Sequence, residues 1–510
     1  MNGGPGGRVL NDVAEAKGGP LRRLVSSSML YAITGFAQQA VGFLLIPVYT
    51  RLIPPAEYGL LELMTAFLSI AMVCVTLGLS SAINKVYHRD CETPEEQRAV
   101  LGTAVVSTLP LIAFVGGLLL TFAEPLSAVL TGSGEHAGLL RIAVASSLCY
   151  AVLAMVLGGL RARERTVAYS AVSAVQFSLA LALNLVLVGV LGFGVRGVLL
   201  GNLTANVAAL GLALVLLGPG ARFAFDRRLI RPLFAFGIAV IPSMLSSWVM
   251  DVSDRYLLRL FRDLDEVAQY GVGYKFGMAV QLLVTWPFQL AWPAIAFGIS
   301  REDGHERTYA RVLTYLSLLL MFVVLVFVAA SKSVLPIVIG GRYAAACGVV
   351  PVIAAAYALN ALQFCVSPGI HVGGRTRALS GIGVAAAVSN LVLGLILIPS
   401  LGMTGAAWAT VAAYGLAFGG TAWLAQRTHP VRYEIGRLGR IVVAGVVAYG
   451  VMQIVAAGTA GVWLAVGQVG ALAVFLVLVL LSGFMAKDER DYVVGLVHRY
   501  VPIEGRQHGA

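Results

Sequence analysis

Apolar segments of about 20 residues recur along almost the whole chain, and charged residues are concentrated in the short stretches between them. A helix needs about 20 consecutive apolar residues to cross a bilayer. Only 12% of the residues are charged, whereas a soluble domain carries roughly 25%. The pattern therefore predicts an all-α polytopic membrane protein, with no segment long enough to form a soluble enzyme domain.

The apolar windows predict about fourteen transmembrane helices. They are expected near residues 25–49, 59–83, 99–122, 138–160, 166–190, 196–217, 233–255, 267–297, 309–330, 344–368, 376–398, 403–425, 439–458 and 461–484. Residues 1–24 form a polar tail before the first span. Residues 487–510 follow the last span, and their pattern favours an amphipathic helix lying on the membrane surface.

The distribution of Lys and Arg orients these spans. Segments assigned to one side hold 27 of the 36 basic residues, and segments on the other side hold 8. Basic loops stay in the cytoplasm, so both termini are predicted to be cytoplasmic. This bias accounts for the net charge of +11, and nucleic-acid binding is not expected.

Two pairs of similar segments indicate an internal repeat. Asn184–Gly197 resembles Asn390–Gly405, and Glu57–Leu60 resembles Gln269–Val272 at nearly the same offset. The repeat predicts two six-helix lobes related by a pseudo-two-fold axis, an arrangement found among secondary transporters. The lobes are expected at 25–217 and 233–425, joined by a cytoplasmic linker at 218–232, with two further helices at 439–484. Chance similarity between Leu- and Val-rich segments is the alternative.

Lys275 is the basic residue placed deepest in an apolar stretch. A charge at mid-bilayer costs about 2.5–3.5 kcal/mol on insertion scales and usually marks a pathway. Asp251 precedes Asp263, the centre of the predicted hairpin, by 12 residues, and Lys275 follows it by 12. The two side chains are therefore predicted to be neighbours. Three interpretations stay open: Lys275 binds an anionic substrate, pairs with Asp251 as a clasp, or extends to the membrane surface.

Other polar residues within the spans complete the candidate site. Glu62 is either a proton-coupling carboxylate or an interfacial residue. Uncharged amides such as Gln176, Asn202 and Asn206 either join helices by hydrogen bonds or bind sugar hydroxyls. The candidate substrate-binding residues are Lys275, Asp251, Asp254, Arg255, Arg51, Glu62, Gln38 and Gln39.

Enzymatic and metal-binding motifs are not found in the sequence. The five cysteines lack ligand spacing, which predicts neither a disulfide nor a metal site. A phosphate-binding Gly-x-x-x-x-Gly-Lys-Ser/Thr loop is also missing. We therefore expect no catalytic residue and no cofactor.

Several segments are similar to those of one transporter family. They are Leu45–Leu60 (LIPVYTRLIPPAEYGL), Asp254–Phe261 (DRYLLRLF), Gln269–Lys275 (QYGVGYK), Gly341–Ala346 (GRYAAA), Gly374–Arg377 (GRTR) and Asn390–Thr410. With them the chain resembles the polysaccharide and O-antigen flippases of the multidrug/oligosaccharidyl-lipid/polysaccharide exporter superfamily. The resemblance implies two lobes around a cationic central cavity and transport by alternating access.

The same resemblance implies the substrate and the partners. The substrate would be an undecaprenyl-pyrophosphate-linked oligosaccharide, moved from the cytoplasmic to the outer leaflet for O-antigen, capsule or exopolysaccharide assembly. Membrane lipids, a polysaccharide polymerase and chain-length machinery would be its partners. Two other functions stay open: a cation-coupled multidrug antiporter of the same superfamily and a non-transporting membrane scaffold. A buried Lys275 argues against the antiporter unless Asp251 neutralises it.

Overall fold

The computed structural model describes residues 34–36, 42–217, 225–299, 304–372 and 376–484, and this part of the chain is all helical. We number its principal helices in chain order. They are α1 (Gly42–Leu52), α2 (Pro55–Asp90), α3 (Pro94–Thr121), α4 (Gly134–Ala162), α5 (Thr166–Val190), α6 (Gly194–Leu217), α7 (Arg227–Phe261), α8 (Leu264–Ile299), α9 (His305–Ser333), α10 (Ala346–Ile370), α11 (Thr376–Leu401), α12 (Met403–Thr428), α13 (Ile435–Gly458) and α14 (Gly461–Leu481).

The prediction of a polytopic all-α membrane protein is confirmed, but the count of fourteen spans is not. Twelve helices of the described residues are long and apolar enough to cross a membrane. Of the first predicted span, 25–49, only residues 34–36 and 42–49 lie within the described part of the chain. Helix α12 has 26 residues, yet it does not reach the apolar content of the twelve.

The starts of several helices follow local sequence signals. Thr93 caps α3, because its hydroxyl accepts from the backbone N–H of Glu96 at 3.2 Å and the Glu96 carboxylate accepts from the N–H of Thr93 at 3.4 Å. Pro94 occupies the first helical position, where the missing N–H costs nothing. Asp226 caps α7 through the N–H of Arg228 at 2.8 Å. Helix α7 therefore begins within the linker predicted at 218–232, whose residues 218–224 lie outside the described residues.

Backbone contacts divide the chain into two compact units. The first comprises Met1–Phe276, Val338–Val349 and Arg377–Leu416. One hydrophobic core of this unit is formed by α2, α3, α4 and α7, with contributions from α5 and α6. Helices α4 and α5 both pack closely against α6.

The second unit comprises Gly277–Ile337, Val350–Thr376 and Ala417–Ala510. Its core is built where α13 and α14 pack against each other and against α9. Helices α13 and α14 correspond to the two helices predicted outside the repeat. The division into lobes at 25–217 and 233–425 stays a prediction, and the tails at 1–24 and 487–510 lie outside the described residues.

Helix α2 is broken near the end that the predicted topology places in the cytoplasm. After the regular segment Pro55–Thr76, Leu77 and Gly78 adopt positive φ angles of 47° and 66°. A positive φ is unfavourable for leucine. A Cβ atom on Gly78 would lie 2.9 Å from the carbonyl oxygen of Gly237 on α7. The break therefore lets the α2 and α7 backbones touch.

Candidate functional site

A cluster of charged side chains joins α2, α7 and α8 within the first unit. Lys275 of α8 forms an ion pair with Glu62 of α2, and its Nζ atom donates to the hydroxyl of Tyr58 at 2.8 Å. Tyr58 and Glu62 are four residues apart and share one face of α2. The Lys275 ammonium also lies 5.1 Å from the centre of the Tyr58 ring. The deepest cation of the sequence is therefore held by two side chains of one helix.

Arg255 of α7 binds the same carboxylate from the other side. Its Nε atom donates to Oε2 of Glu62 at 3.1 Å, and an Nη1 atom donates to Oδ1 of Asp254 at 3.4 Å. The guanidinium also donates to the backbone carbonyl of Asp251 at 2.7 Å and lies 4.8 Å from the ring centre of Tyr274. These contacts satisfy a cation that is almost completely removed from the surface.

Tyrosine hydroxyls satisfy the remaining carboxylates. Tyr270 donates to Asp254, which is buried. Tyr274 and Tyr414 donate to Oδ1 of Asp251 at 3.2 and 3.1 Å. Since a buried carboxylate is costly unless it is hydrogen-bonded, the tyrosines make it possible to place three acidic groups close together.

The predicted pairing of Lys275 with Asp251 is wrong. In the described part of the chain, the ion-pair partner of Lys275 is Glu62, whereas Asp251 accepts from Tyr274, the residue just before Lys275. Counting from the hairpin centre gives the depth of a residue. It does not give its direction around the helix, which turns by about 100° per residue. The depth was right to within one residue, and the rotation directs Lys275 to α2.

Two glycines allow the helices to approach one another at the cluster. A Cβ atom on Gly271 of α8 would lie 2.8–2.9 Å from the side-chain atoms of Glu62, and a Cβ on Gly59 of α2 would overlap the carbonyl oxygen of Leu264. Both glycines follow a tyrosine in the two similar segments Glu57–Leu60 and Gln269–Val272. The glycines of the two segments that indicated the repeat therefore let α2 and α8 approach closely and provide the space for Glu62.

Aromatic residues border the cluster on the side of α1. Tyr343, in a loop between α9 and α10, packs edge-on against Tyr58 with ring centres 6.0 Å apart. Its hydroxyl donates to the backbone carbonyl of Ile53 at 3.0 Å. Burial raises the pKa of the Tyr343 phenol well above its ordinary value, so this side chain stays a neutral donor. The loop is thereby fixed to the start of α2.

The structure brings together four of the eight predicted site residues and places a fifth beside them. Lys275, Glu62, Arg255 and Asp254 form the charge cluster, and Asp251 is attached to it through Tyr274. Glu62 is 4% exposed, and both interpretations of its role stay predictions. Arg51 lies exposed at the end of α1. Gln38 and Gln39 lie outside the described residues.

The tyrosines were missed by reasoning from the sequence. Tyr58 and Tyr270 stood in the Tyr-Gly pairs of the repeat, and that position was a usable signal. Nothing near Tyr274 or Tyr414 marked them as partners of a carboxylate.

The two cations of the cluster differ in how far their side chains are exposed. The Arg255 side chain is 8% exposed, whereas the Lys275 side chain is 35% exposed. The charges of Lys275 and Arg255 are balanced by those of Glu62 and Asp254. Lys275 is therefore the member of the cluster that an incoming anion can reach, while Arg255 remains as a partner for Glu62.

Comparison with known proteins places this arrangement in context. Residues 24–298 match a family described as polysaccharide biosynthesis protein. The chain is 25% identical over 280 residues to the succinoglycan biosynthesis transport protein ExoT of Rhizobium meliloti (strain 1021). This similarity spans 53% of the chain and 53% of ExoT, about half the length of each.

Solved structures share the fold. A lipid II flippase, MurJ, in an inward closed conformation superposes with a TM-score of 0.72 at 12% identity, covering 91% of this chain and all of that one. A multidrug resistance transporter of the MATE family, in an inward-facing conformation, gives 0.64 at 15% identity over 76% of this chain and 94% of that one. The names of all these proteins describe transport proteins, in agreement with the prediction that the chain is not an enzyme.

Proposed function

The chain belongs to the polysaccharide biosynthesis protein family, and on that premise we propose that it is a flippase for lipid-linked oligosaccharides. Its substrate is an oligosaccharide repeat unit on undecaprenyl pyrophosphate. The protein moves this unit from the cytoplasmic to the outer leaflet of the inner membrane, with both of its termini in the cytoplasm. The transported units serve the assembly of O-antigen, capsule or exopolysaccharide.

The difference in exposure between Lys275 and Arg255 carries this proposal. Removing one partner of a buried ion pair leaves an uncompensated charge and costs about 3–5 kcal/mol. Glu62 avoids this cost when Lys275 leaves, because Arg255 donates to its other carboxylate oxygen at 3.1 Å. Lys275 is therefore able to exchange its carboxylate for a phosphate without leaving Glu62 unpaired.

The exchange supports a mechanism of alternating access. Lys275 ties α8 to α2, so the ion pair holds these helices together at the end predicted to face outward. A diphosphate carries more negative charge than a carboxylate and provides several acceptor oxygens, so it competes well for the ammonium. Binding of the substrate headgroup releases α8 from Glu62, and loss of the headgroup allows the pair to form again.

Partners follow from the same proposal. The lipid carrier requires direct contact with membrane lipids, and the translocated units require a polysaccharide polymerase and chain-length machinery that act after them. The pairing of Glu62 with two cations favours the flippase over the multidrug antiporter. To reach the carboxylate of Glu62, a cationic drug would have to displace both Lys275 and Arg255.

The test is transport of a fluorescent undecaprenyl-pyrophosphate oligosaccharide in proteoliposomes. Lys275→Ala is expected to lower the flipping rate about ten- to hundredfold, since it removes a charge-assisted contact worth about 1.5–3 kcal/mol. Lys332→Ala is the matched control. Lys332 lies at the end of α9 and bonds to Gln453, and its loss is expected to leave flipping unchanged.

Two outcomes would contradict the proposal. Unchanged flipping by Lys275→Ala would exclude the phosphate-binding role of Lys275. No flipping by the wild type, together with export of a cationic dye from the same vesicles, would replace the flippase with the multidrug antiporter.

A further inference from the structure

A cavity lined by uncharged polar groups lies next to the charge cluster, within the first unit. It has a volume of about 490 Å³ and is bounded by α2, α4, α5 and α6. Small-molecule sites typically measure about 300–1,000 Å³. Thr65 of α2 lines the outer end of the cavity, three residues after Glu62, which is about 4.5 Å along a helix. The cavity therefore begins about one turn away from Glu62, the ion-pair partner of Lys275.

The wall on α5 and α6 leaves one buried acceptor without a partner. Nε2 of Gln176 donates to Oδ1 of Asn206 at 2.8 Å, and Nδ2 of Asn206 donates to the backbone carbonyl of Ser146 at 3.2 Å. A carbonyl only accepts, so it fixes the orientation of the Asn206 amide and, through it, that of Gln176. Oε1 of Gln176 is the remaining atom, and it has no hydrogen-bond partner although the residue is only 8% exposed.

A second amide leaves a donor for the cavity. Asn184 donates through Nδ2 to the backbone carbonyl of Ala180 at 2.7 Å and to Oδ1 of Asn202 at 3.3 Å. Asn202 lines the cavity, and its oxygen is the end used by Asn184. Its amide nitrogen is therefore the end available to a ligand. An acceptor on Gln176 and a donor on Asn202 together match a hydroxyl group, which donates and accepts at once.

The other residues that line the cavity restrict the class of ligand that it can bind. None of the described residues that line the cavity carries a charge, so they provide neither a phosphate nor a cationic drug with a counter-ion. Tyr150 and Phe177 supply aromatic faces, on which the apolar faces of sugar rings pack. An acyl chain offers the Gln176 oxygen no hydrogen bond, whereas a sugar hydroxyl can donate one, worth about 0.5–1.5 kcal/mol.

The cavity continues along α2 and thus has room for more than one sugar. A second space of about 190 Å³ shares Ser69, Met72 and Tyr150 with the first and extends to Thr76 and Ser80. Hydroxyl side chains therefore follow one face of α2 from Thr65 towards the break of the helix. The hydroxyl protons of Thr65 and Thr76 are directed to backbone carbonyls one turn back, at 2.8 Å each, which leaves oxygen lone pairs for a ligand.

We propose that this cavity binds uncharged sugar residues of the lipid-linked saccharide, with Gln176, Asn202 and Tyr150 as the binding residues. The inference rests on the proposed function and adds a saccharide subsite separate from the phosphate contact at Lys275. Sugars attached directly to the diphosphate reach it because the two sites are adjacent on α2.

Binding to the full chain in lipid nanodiscs tests this subsite with two probes. One is undecaprenyl pyrophosphate carrying a neutral hexose disaccharide, and the other is undecaprenyl pyrophosphate without sugar. Gln176→Met keeps the length of the side chain and removes the acceptor. It is expected to weaken binding of the sugar-bearing lipid about three- to tenfold, the range given by one hydrogen bond, and to leave binding of the sugar-free lipid unchanged.

A second variant and a matched control keep the test independent of folding. Tyr150→Leu alters a side chain that is 40% exposed, and it is expected to cause the same selective loss. Gln468 of α14 also has a buried Oε1 atom without a partner, but it does not line this cavity. Gln468→Met should therefore change neither affinity.

The outcomes separate this inference from the proposed function. Equal weakening of both probes by Gln176→Met and Tyr150→Leu, or no weakening of the sugar-bearing lipid, overturns the saccharide subsite alone. A wild type that binds neither lipid overturns the proposed function and the subsite with it.

Discussion

The charge cluster and the cavity lined by amides are neighbours along α2, but they differ in whether their buried polar groups have hydrogen-bond partners. In the cluster, Glu62 and Asp254 are each held by a cation, and Tyr270 completes the set. In the cavity, the buried oxygen of Gln176 has no partner. A fully satisfied buried network holds helices together, whereas an unsatisfied group on a residue that lines a cavity is suited to a ligand. The difference separates a structural junction from a proposed binding site.

The largest effect is expected from breaking the junction. Glu62→Ala removes the carboxylate shared by Arg255 and Lys275, while Asp254 remains as an ion-pair partner of Arg255. It should lower the free energy of unfolding by about 3–5 kcal/mol, because two charge-assisted contacts worth about 1.5–3 kcal/mol each are lost at once. The measurement is the melting temperature of the purified protein in detergent. Lys275→Ala is the control and should lower the melting temperature less, since its side chain is one-third exposed. Equal effects would mean that Lys275 is as structural as Arg255.

A smaller effect is expected from crowding the junction. Gly271→Ala places a Cβ atom against the side chain of Glu62, and overpacking of this kind costs about 1–3 kcal/mol. Gly381→Ala on α11 is matched, because a Cβ atom there meets open space. Melting temperatures of both variants in the same detergent provide the comparison. A Gly271 variant as stable as the Gly381 variant would show that Glu62 moves aside freely.

The smallest effect is expected within the cavity wall. Ser146→Ala removes a hydroxyl that accepts from Nδ2 of Asn206 at 3.1 Å, while the backbone carbonyl of the same residue remains as an acceptor. The cost should be about 0.5–1.5 kcal/mol, the value of one hydrogen bond. If thermal unfolding showed a loss similar to that of Glu62→Ala, the cavity wall would be a second structural junction and the contrast would disappear.

The sequence was most informative about the helices and about the depth of the charged residues. Runs of apolar residues and the constraint that backbone groups be satisfied inside the membrane allow little besides helices. Depth follows from counting along a helix, and this placed Asp251 within one residue of its hydroxyl partner Tyr274. Direction around the helix depends on how neighbouring helices pack, so the pairing of Lys275 with Glu62 was not available from counting.

The cavity shows a different limit of prediction. The amides Gln176, Asn202 and Asn206 were recognised as polar groups within spans, with helix joining and sugar binding both left open. The helix-joining role is seen in the hydrogen bonds of Gln176 and Asn206, whereas sugar binding stays a proposal. Asn206 uses both ends to join helices, and Gln176 uses one. The backbone carbonyl of Ser146 determines which end of the Gln176 amide has no partner. The pattern of side chains in the sequence does not reveal such a backbone contact.

The regular segment Pro55–Thr76 of α2 carries residues of both regions. Glu62 and Ser69 are seven residues apart, and seven residues bring a helix back to the same face within about 20°. No break separates them, since the change of direction comes only at Leu77 and Gly78. The segment is thus one continuous helix. A rotation of this helix that moves Glu62 away from Lys275 also moves Thr65 and Ser69 relative to Gln176. In the proposed mechanism, release of the headgroup and release of the sugar are thereby coupled through this one helix.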